Sequence, residues 1–444
     1  MKLAIVSLGC PKNQVDADRF CRALLAAGHE TVPQIELAAA VIINTCGFIE
    51  SAKEEAIEAI LDACALKKEN PALRVVACGC LAERYREEVA REIPELDAVV
   101  GIGAAAQLPE ILGGLRGQKT QCFFGPKTAL PLEGERIIST PGHYAWLKIA
   151  EGCSNACSYC AIPGIRGPQR SRAQSAVLAE ARWLAQQGVR EVVLVAQDVT
   201  AYGNDRGEAA LPALLKELNA VDGIEWIRLL YAYPEKIGPA LLGAMAQSEK
   251  VLPYLDLPVQ HIDDDILRAM GRRGGSDAIH RAIEMIRAQL PGATLRTSLI
   301  AGFPGESAAQ FEKLCAFVRD VRFDRLGCFA YSPEEGTRAA QFPGQLPEQE
   351  RQRRAEVVME TQQRIMAEKQ DALVGKRLRV LCDGLDETGT AWLCRSAADA
   401  PEIDANVLLD AAAPCAAGAF CTVTITGADG LDLLAEMAGE GSRA

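Results

Sequence analysis

The sequence predicts an α/β protein of three parts: an N-terminal doubly wound parallel sheet, a central partial (βα)6 barrel and a C-terminal small β-barrel. Short apolar runs alternate with helix-length amphipathic segments in two successive series, which is typical of parallel α/β folds. The last roughly seventy residues lose the helical period and show short alternating runs instead. A chain of 444 residues is also too long for one ordinary core.

The first series predicts a domain over residues 1–117. Its strands are the runs LAIVSLG, AVIINTC and LRVVACG, and its helices are predicted near Val15 to Ala27, near Ser51 to Leu66 and from Leu81. β-Branched runs between helices indicate a parallel sheet with helices on both faces. Residues 118–139 are irregular and rich in turn-forming residues, which predicts a linker.

The second series predicts a barrel domain over residues 140–371, with six strand-like runs: HYAWLKIAEG, EVVLVAQD, EWIRLLYAYP, YLDLPVQH, TLRTSLIAGFPG and RLGCFAYSP. Six βα units predict an open or complete parallel barrel with its chemistry at the carboxyl ends of the strands. A charged segment without Gly or Pro, near Glu348 to Lys369, predicts a spacer helix. Residues 372–444 supply the runs KRLRVLCD, TAWLCRS and FCTVTIT, which predict a barrel of the oligonucleotide-binding type.

Composition excludes several classes of protein. No apolar run reaches the roughly 18 residues of a membrane helix, so we expect a cytoplasmic protein without a membrane partner. Sixteen cysteines in a long chain without an export signal indicate metal binding and core packing instead of disulfides. The net charge is -12, and residues 376–444 contain 5 basic and 11 acidic residues. This balance argues against a nucleic-acid partner and favours a basic one.

The sharpest local signal is the compact triad Cys153, Cys157 and Cys160, which directly follows the predicted strand LKIAEG. Three thiolates at this spacing can hold three irons of a cubane cluster and leave the fourth iron without a protein ligand. A structural zinc site needs a fourth ligand, and a redox CxxC pair does not explain Cys153. We therefore predict an iron-sulfur cluster with one open iron.

A second, dispersed triad consists of Cys10, Cys46 and Cys80, each at the carboxyl end of a predicted parallel strand. All three are expected at one edge of the sheet, where doubly wound folds bind ligands. Neighbouring glycines would allow backbone to approach a bulky cluster. A single such residue would be interpreted as buried and structural, but three at matched positions predict a metal site. Cys78 lies in the strand body and is excluded. The other cysteines are interpreted as core or surface residues: Cys21, Cys64, Cys122, Cys315, Cys328, Cys382, Cys394, Cys415 and Cys421.

Seven segments between residues 7 and 404 together resemble the methylthiotransferase family of the radical S-adenosylmethionine (SAM) superfamily: SLGCPKNQVDAD, INTCGFIESAKEEAI, GCLAERY, EGCSNACSYCAIPGIRGPQRSR, LPVQHIDDDILRAMGR, LRTSLIAGFPGE and CRSAADAPEID. Pro11-Lys12-Asn13 and the DAPEID segment at Asp399 to Asp404 resemble the RimO branch. That branch methylthiolates the β-carbon of an aspartate in small-subunit ribosomal protein twelve. Ala405 departs from the pattern, since glycine is expected after DAPEID.

The resemblance implies a set of cofactors and a mechanism. It implies that the compact triad holds a four-iron four-sulfur cluster whose open iron chelates SAM, and that the reduced cluster cleaves SAM to a 5'-deoxyadenosyl radical. It implies that the dispersed triad holds an auxiliary four-iron four-sulfur cluster, where sulfur is methylated by one SAM and delivered to the substrate radical generated by a second. An external low-potential electron donor, such as flavodoxin or ferredoxin, is implied as a partner. The C-terminal barrel resembles a TRAM domain.

Four weaker candidates for SAM contacts lie at strand ends and turns. Tyr159 is the aromatic residue before the last cysteine of the compact triad, as in the superfamily motif. Gln197 and Asp198 end the second barrel strand, where they either contact the amino group or ribose of SAM or cap the following helix. Gly302 belongs to the segment IAGFPG, which forms either a loop against adenine or an ordinary turn.

Two arginines, Arg228 and Arg296, interrupt apolar barrel strands. Each either pairs with a carboxylate of cofactor or substrate or is solvated at a strand edge.

The function predicted from these observations is ribosomal protein aspartate methylthiotransferase. The acidic tail favours a protein substrate, because ribosomal proteins are generally basic. Three alternatives remain open at this point: a MiaB-like transfer RNA isopentenyl-adenosine methylthiotransferase, a non-catalytic iron-sulfur carrier, and a zinc-stabilised binding module.

Overall fold

The computed structural model describes residues 1–116 and 119–439. The predicted domain boundary between residues 117 and 118 and the predicted barrel residues 440–444 lie outside the described residues. The predicted fold class is confirmed: a parallel sheet, a partial βα barrel and a closed β-barrel follow one another along the chain. None of the helices in these two ranges has the length and hydropathy needed to span a bilayer.

The first domain is a six-stranded parallel sheet with helices on both faces. Its strands are β1 (Lys2–Ser7), β2 (Glu30–Thr31), β3 (Ala40–Thr45), β4 (Arg74–Gly79), β5 (Ala98–Val100) and β6 (Gln121–Phe123). Its helices are α1 (Pro11–Ala26), α2 (Glu50–Ala65), α3 (Cys80–Tyr85), α4 (Glu87–Glu92) and α5 (Leu108–Gly114). The strand order is β2-β1-β3-β4-β5-β6. Successive residues of β3 point to opposite faces, so that Val41 packs with α2 and Ile42 with α1 and α5.

The strand β6 lies in the segment that the sequence predicts to be an irregular linker. It pairs with β5 as the edge strand of the sheet, from Ala98 opposite Gln121 to Val100 opposite Phe123. Its brevity explains the difference, because three residues are too few to establish an alternating pattern.

The second domain contains six parallel strands in chain order, β7-β10-β11-β12-β13-β14, which confirms the partial barrel. Its strands are β7 (Tyr144–Lys148), β8 (Ala150–Glu151), β9 (Arg170–Ser171), β10 (Glu191–Val195), β11 (Trp226–Leu229), β12 (Val251–Asp256), β13 (Thr294–Ala301) and β14 (Arg325–Ala330). Its helices are α6 (Ile162–Arg166), α7 (Gln174–Gln186), α8 (Leu211–Asn219), α9 (Pro239–Ala246), α10 (Asp264–Ala269), α11 (Gly275–Gln289), α12 (Ala308–Val321) and α13 (Glu348–Asp371). The largest apolar core lies between the strands and these helices.

The helix α13 is more than the spacer that its charged sequence predicts. It packs along β14, the edge strand of the barrel sheet, and against α12. Val358 and Ile365 are buried in that contact. The helix thus protects an edge that would otherwise offer unpaired backbone groups.

The third domain is a closed five-stranded barrel in the order β15-β16-β17-β19-β18, as the sequence predicts. Its strands are β15 (Arg377–Leu385), β16 (Ala391–Ser396), β17 (Val407–Asp410), β18 (Phe420–Asp429) and β19 (Asp432–Met437). Leu381 and Ala400 share an apolar cluster with Tyr144, Trp226 and Tyr254 of the central barrel. This domain therefore packs on the inner face of the central barrel strands.

Candidate active site

The compact cysteine triad lies in a loop that is held at both ends. The short antiparallel pair β8 and β9 brackets the loop, and the Cys153 N–H donates to the Gly167 carbonyl at 3.1 Å. Gly152 has a φ of +78°, and a Cβ there would lie 2.6 Å from the Gly167 oxygen. Only glycine can therefore precede Cys153 in this turn. The loop follows the carboxyl end of β7, as predicted.

Aromatic and apolar side chains enclose one side of the compact triad. The sulfur of Cys157 lies 3.7 Å from the Tyr233 hydroxyl, and the Arg272 guanidinium stacks 4.2 Å from the Tyr233 ring centroid. Tyr159 packs at the edge of a buried cluster that includes Phe303. Burial raises the pKa of the Cys160 thiol to about 12. A metal cluster, which binds thiolates, would therefore displace protons from this triad.

The donor set of the compact triad fits an iron-sulfur cluster. All three ligand atoms are thiol sulfurs, and they do not all lie within 4.8 Å of one another. A single metal ion brings its thiolates closer together, to about 3.8 Å in a zinc tetrahedron, whereas the inorganic sulfides of a cluster spread the ligands apart.

Gln197 and Asp198 lie beside the cysteine loop, at the carboxyl end of β10. The Gln197 amide donates to Glu151 Oε1 at 2.6 Å, while its buried carbonyl oxygen has no partner among the described residues. A buried acceptor of this kind fits the ammonium group of a ligand such as SAM.

Asp198 fixes the cysteine loop in place. It accepts hydrogen bonds from Asn155 at 2.9 Å and Lys236 at 2.5 Å. Its carboxylate makes no capping bond to the following 3-10 turn, so the capping interpretation is wrong.

The dispersed triad is assembled at one edge of the first sheet. Cys10, Cys46 and Cys80 follow β1, β3 and β4, which are adjacent strands. A Cβ at Gly9 would lie 3.0 Å from the Cys46 sulfur, and a Cβ at Gly47 would lie 2.8 Å from the Leu81 backbone. The glycines that the sequence places beside the cysteines are therefore needed for the close approach of the three strand ends.

Arg166 connects the barrel domain to the dispersed triad, and no motif in the sequence singles it out. Its guanidinium, at the end of α6, donates to the Cys80 sulfur at 3.1 Å and to Asn13 Oδ1 at 2.9 Å. It also donates to Asp16 at 2.5 Å and to Glu151 at 3.1 Å. Its only sequence signal is its place in the segment CAIPGIRGP, six residues after Cys160. Arg166 therefore places a cation from the barrel domain against a thiol of the first domain.

A buried charge network surrounds Arg166. Lys148, at the end of β7, bonds to both Asp16 and Glu151. Burial opposes ionisation of Glu151, but Lys148 and Arg166 hold its pKa below the ordinary range. Burial likewise opposes the charge on Arg166, yet Cys80, Glu151 and Asp16 together raise its pKa. With the two cations matched by two carboxylates, any thiolate of the dispersed triad adds net negative charge to this interface.

Lys12 supplies a further cation at the dispersed triad. Its ammonium lies 3.5 Å from the centroid of the Tyr231 ring, which belongs to the barrel domain. Burial lowers the pKa of Lys12, but Tyr231 and Cys10 outweigh burial and raise it. Lys12, which marks the RimO-like segment in the sequence, therefore contacts both domains next to Cys10.

Arg228 and Arg296 do not lie with the cysteines. Arg228 is fully buried, donates to Glu191 at 2.8 Å and reaches the carbonyl of Ala397 in the third domain at 2.8 Å. Arg296 pairs with Asp256 at 2.8 Å and with Asp404 at 3.4 Å. Their carboxylate partners thus belong to this chain. The interpretation of Arg228 as solvated at a strand edge is wrong, because its side chain is fully buried. Both arginines instead hold the third domain against the central barrel.

The DAPEID segment docks the third domain on the central barrel. Asp399 accepts from Arg325 at 2.5 Å, Glu402 from the Tyr144 hydroxyl at 2.5 Å, and Asp404 from the Tyr254 hydroxyl at 2.6 Å. The positive φ in this segment, +62°, belongs to Glu402. Ala405 is not among the residues with a positive φ, so alanine at this position does not strain the backbone.

Gly302 has a structural explanation in its contact with α13. Its φ is +75°, and a Cβ there would lie 2.6 Å from Arg351 Cγ. Its N–H donates to Glu306 Oε2 at 2.8 Å. This geometry accounts for the glycine as a turn residue beneath a packed helix. A contact of the IAGFPG loop with adenine stays a prediction.

Three family profiles match the chain in succession. These are the "Uncharacterized protein family UPF0004" over residues 2–101, the radical SAM superfamily over residues 147–318 and the TRAM domain over residues 374–438.

The fold is similar to that of TsrM, a radical SAM methyltransferase from Kitasatospora setae. The TM-score is 0.57 at 14% identity, and the similarity covers 94% of this chain and 81% of that one. The barrel and its cysteine loop define a radical SAM enzyme, a class that uses SAM and a four-iron four-sulfur cluster.

Full-length relatives define the family within this class. The ribosomal protein uS12 methylthiotransferase RimO of Acetivibrio thermocellus is 44% identical over 100% of this chain and 99% of that protein. The protein of the same name from Moorella thermoacetica is 45% identical over 96% of each. The chain belongs to the RimO family of ribosomal protein uS12 methylthiotransferases. The resemblance stated from the sequence is thereby confirmed.

Proposed function

We propose that this protein adds a methylthio group to the β-carbon of an aspartate in ribosomal protein uS12, which is small-subunit ribosomal protein twelve. One observation carries the proposal beyond family membership. The two cysteine triads lie at the carboxyl ends of two different sheets, and Arg166 of the domain with one triad donates to Cys80 of the other at 3.1 Å. A reaction that needs a radical source and a sulfur source requires such proximity.

Two four-iron four-sulfur clusters are proposed, one on each triad. Cys153, Cys157 and Cys160 would hold the cluster that binds SAM, and Cys10, Cys46 and Cys80 would hold the auxiliary cluster. Three protein thiolates leave one iron of each cluster open to a ligand. When bound, these groups supply one-electron chemistry that reaches an unactivated C–H bond, which acid or base catalysis cannot do at neutral pH.

The side chains around the triads bind and orient these groups. The unpartnered oxygen of Gln197 accepts from the amino group of SAM, and Asp198 holds the cysteine loop through Asn155. Tyr159 and Tyr233 exclude water from one side of the compact triad.

Two cations lie beside the dispersed triad, Arg166 at Cys80 and Lys12 near Cys10. Arg166 and Lys12 reduce the energy of thiolates in a buried interface, because a nearby cation offsets the loss of hydration.

The substrate, reductant and location follow from the same proposal. Electrons come from an external low-potential donor such as flavodoxin or ferredoxin. A basic ribosomal protein complements the acidic third domain, and nucleic acid is not expected to bind there. Because ribosomes are assembled in the cytoplasm, the enzyme is expected there.

A substrate comparison tests the proposal. Protein with reconstituted clusters is incubated anaerobically with SAM, reductant and either uS12 or transfer RNA, and the products are analysed by mass spectrometry. We expect the methylthio increment on one aspartate of uS12 and none on RNA. Modification of RNA alone would contradict the substrate. A carrier without catalytic activity would release no 5'-deoxyadenosine in either reaction.

A further inference from the structure

Four cysteines of the third domain, which show no regular spacing in the sequence, come together in its barrel. Cys382 and Cys394 are directly opposite each other on β15 and β16, so their side chains share a face. Cys421 on β18 pairs with Val380, two residues from Cys382, and therefore points to the same face. Cys415 joins them from the loop before β18.

Three of the four sulfurs form a group of the size of a single tetrahedral metal site, and the Cys394 sulfur lies beside that of Cys382. The Cys382 sulfur lies 2.9 Å from that of Cys394 and 3.9 Å from that of Cys421, and the sulfurs of Cys415 and Cys421 are 4.0 Å apart. Four thiolates at 2.3 Å from one zinc ion lie about 3.8 Å from one another. Within the described part of the chain, Cys382, Cys415 and Cys421 are the one group of three metal-ligating atoms that all lie within 4.8 Å.

A disulfide accounts for this cluster less well. The sulfurs of Cys382 and Cys415 are within bonding distance, but their Cα atoms are 7.3 Å apart. Disulfides usually have Cα separations of roughly 4.4–6.8 Å. A bond between these two residues would also leave Cys394 and Cys421 as thiols packed against it. One metal ion gives all four sulfurs the same role.

We propose that Cys382, Cys394, Cys415 and Cys421 bind one structural zinc ion. Four protein thiolates fill a tetrahedral zinc site and leave no position for a substrate, so the site stabilises the fold. Cys382 and Cys394 are fully buried, and the apolar cluster of this small barrel surrounds them. Small domains commonly rely on such an ion, because their cores bury too little apolar surface.

The site also fixes a loop that contacts the central barrel. The Gly418 N–H donates to the Cys382 carbonyl at 2.7 Å, and a Cβ at Gly418 would lie 3.0 Å from the His143 Cβ. His143, just before β7, bonds to Asp383 at 2.8 Å. The ion therefore holds the loop before β18 against β15, the strand whose Asp383 bonds to His143. This structural role is independent of the proposed reaction.

Zinc X-ray absorption and metal analysis of the full-length, anaerobically reconstituted protein test this proposal. Because absorption at the zinc edge is element-specific, the iron of the clusters does not interfere. We expect one zinc ion per chain with four sulfur ligands at about 2.3 Å. In Cys394→Ser the zinc content should fall at least tenfold while the iron content stays the same. Cys315→Ser, a matched change at a buried cysteine of α12, should retain both metals.

A variant with serine at all six cluster cysteines separates this site from the proposed catalytic clusters. It should lose its iron and keep its zinc with four sulfur ligands. Loss of zinc from this variant would show that zinc occupies the cluster cysteines and would overturn the proposal. Four results with the wild-type protein would also overturn the proposal. These are the absence of zinc, iron at the four-cysteine site, nitrogen or oxygen ligands to zinc, and a Cys382–Cys415 cross-link in anaerobically prepared peptides.

Discussion

The two ends of the central barrel strands contain buried charge networks built from the same residue types. At the carboxyl ends, Lys148 and Arg166 pair with Asp16 and Glu151 across the contact with the first domain. At the amino ends, arginines pair with acidic residues across the contact with the third domain. The difference lies in the remaining partners: Arg166 also donates to a cysteine sulfur at the carboxyl ends, whereas Arg228 also donates to a backbone carbonyl at the amino ends. A buried arginine therefore indicates chemistry here only through the end of the barrel at which it lies.

The largest expected effect is at the carboxyl ends, in the dispersed triad. Cys80→Ala should reduce methylthio transfer to uS12 at least ~100-fold, because it removes one of the three proposed ligands of the auxiliary cluster. Cleavage of SAM to 5'-deoxyadenosine should continue, since the compact triad is intact. The control is Cys78→Ala, which alters a buried cysteine two residues away in the strand body. Equal loss of transfer in both variants, measured by product mass, would show that the effect is not due to ligand loss.

The second prediction compares the substitution of arginine by methionine at the two ends of the barrel strands. Arg395→Met removes one buried cation from Glu191 and from Asp383. Although Glu191 keeps Arg228 and Asp383 keeps His143, the loss should reduce the free energy of unfolding by about 3 kcal/mol. Arg166→Met should destabilise the fold similarly, and it should additionally impair methylthio transfer in the fraction that stays folded. Thermal unfolding and turnover per iron-loaded chain measure the two effects. If Arg395→Met reduced turnover per folded chain as much as Arg166→Met, the distinction between the ends would fail.

The sequence predicted the fold class well because its strand-like runs alternate in a regular way. Six strand-like runs between helices indicated the barrel, and the strand-end positions of Cys10, Cys46 and Cys80 indicated a shared edge. The edge strand β6 was missed because its three residues are too short to show a period. Periodic patterns and strand-end positions can be recognised because they depend only on neighbouring residues in the sequence.

The contacts between domains were beyond the reach of the sequence. Arg166 and Cys80 are 86 positions apart, and Arg228 meets a carbonyl 169 positions away. Neither pair leaves a local pattern. The four cysteines of the third domain likewise show no regular spacing, since a closed barrel brings together residues from strands and a loop at unrelated intervals. Such sites depend on tertiary pairing, which a single sequence does not display.

The pH dependence of the amino-end network offers a third test. Burial raises the pKa of Glu191, but Arg395 and Arg228 outweigh burial and lower it. Its stabilisation is therefore present above the ordinary carboxyl pKa, about 4.3, and is lost as pH falls through the lower pKa of the folded state. Glu191→Gln should destabilise the cluster-free protein by about 3 kcal/mol at pH 7.

The same difference should shrink as the pH is lowered from 5 toward 3, because protonation makes the wild-type residue resemble glutamine. Denaturant titrations of both proteins across this range measure it. A difference that stayed constant over the whole range would mean that Glu191 has the same pKa in the folded and unfolded states.

A smaller effect is expected from one hydrogen bond of the DAPEID contact. Tyr254→Phe removes the hydroxyl that donates to Asp404 at 2.6 Å, and a bond to a charged acceptor contributes about 1.5 kcal/mol. Hydrogen exchange should quicken in residues 397–404. Tyr202→Phe removes a hydroxyl that donates to the Arg172 carbonyl at 2.9 Å, far from this segment in the sequence, and should leave that exchange unchanged. Identical exchange in the two variants would exclude a specific role for Tyr254.

The smallest expected effect tests the departure at Ala405. Glycine there would only add freedom to the unfolded chain, because Ala405 does not have a positive φ. Ala405→Gly should therefore lower the free energy of unfolding by about 0.5 kcal/mol, seen as a small decrease in the denaturant midpoint. A stabilised variant would show that the turn after DAPEID needs glycine. The expected small decrease in stability would instead agree with Glu402 as the residue of this segment that adopts the left-handed conformation. The hydrogen bond from the Tyr144 hydroxyl to the Glu402 carboxylate stabilises that conformation at a non-glycine residue.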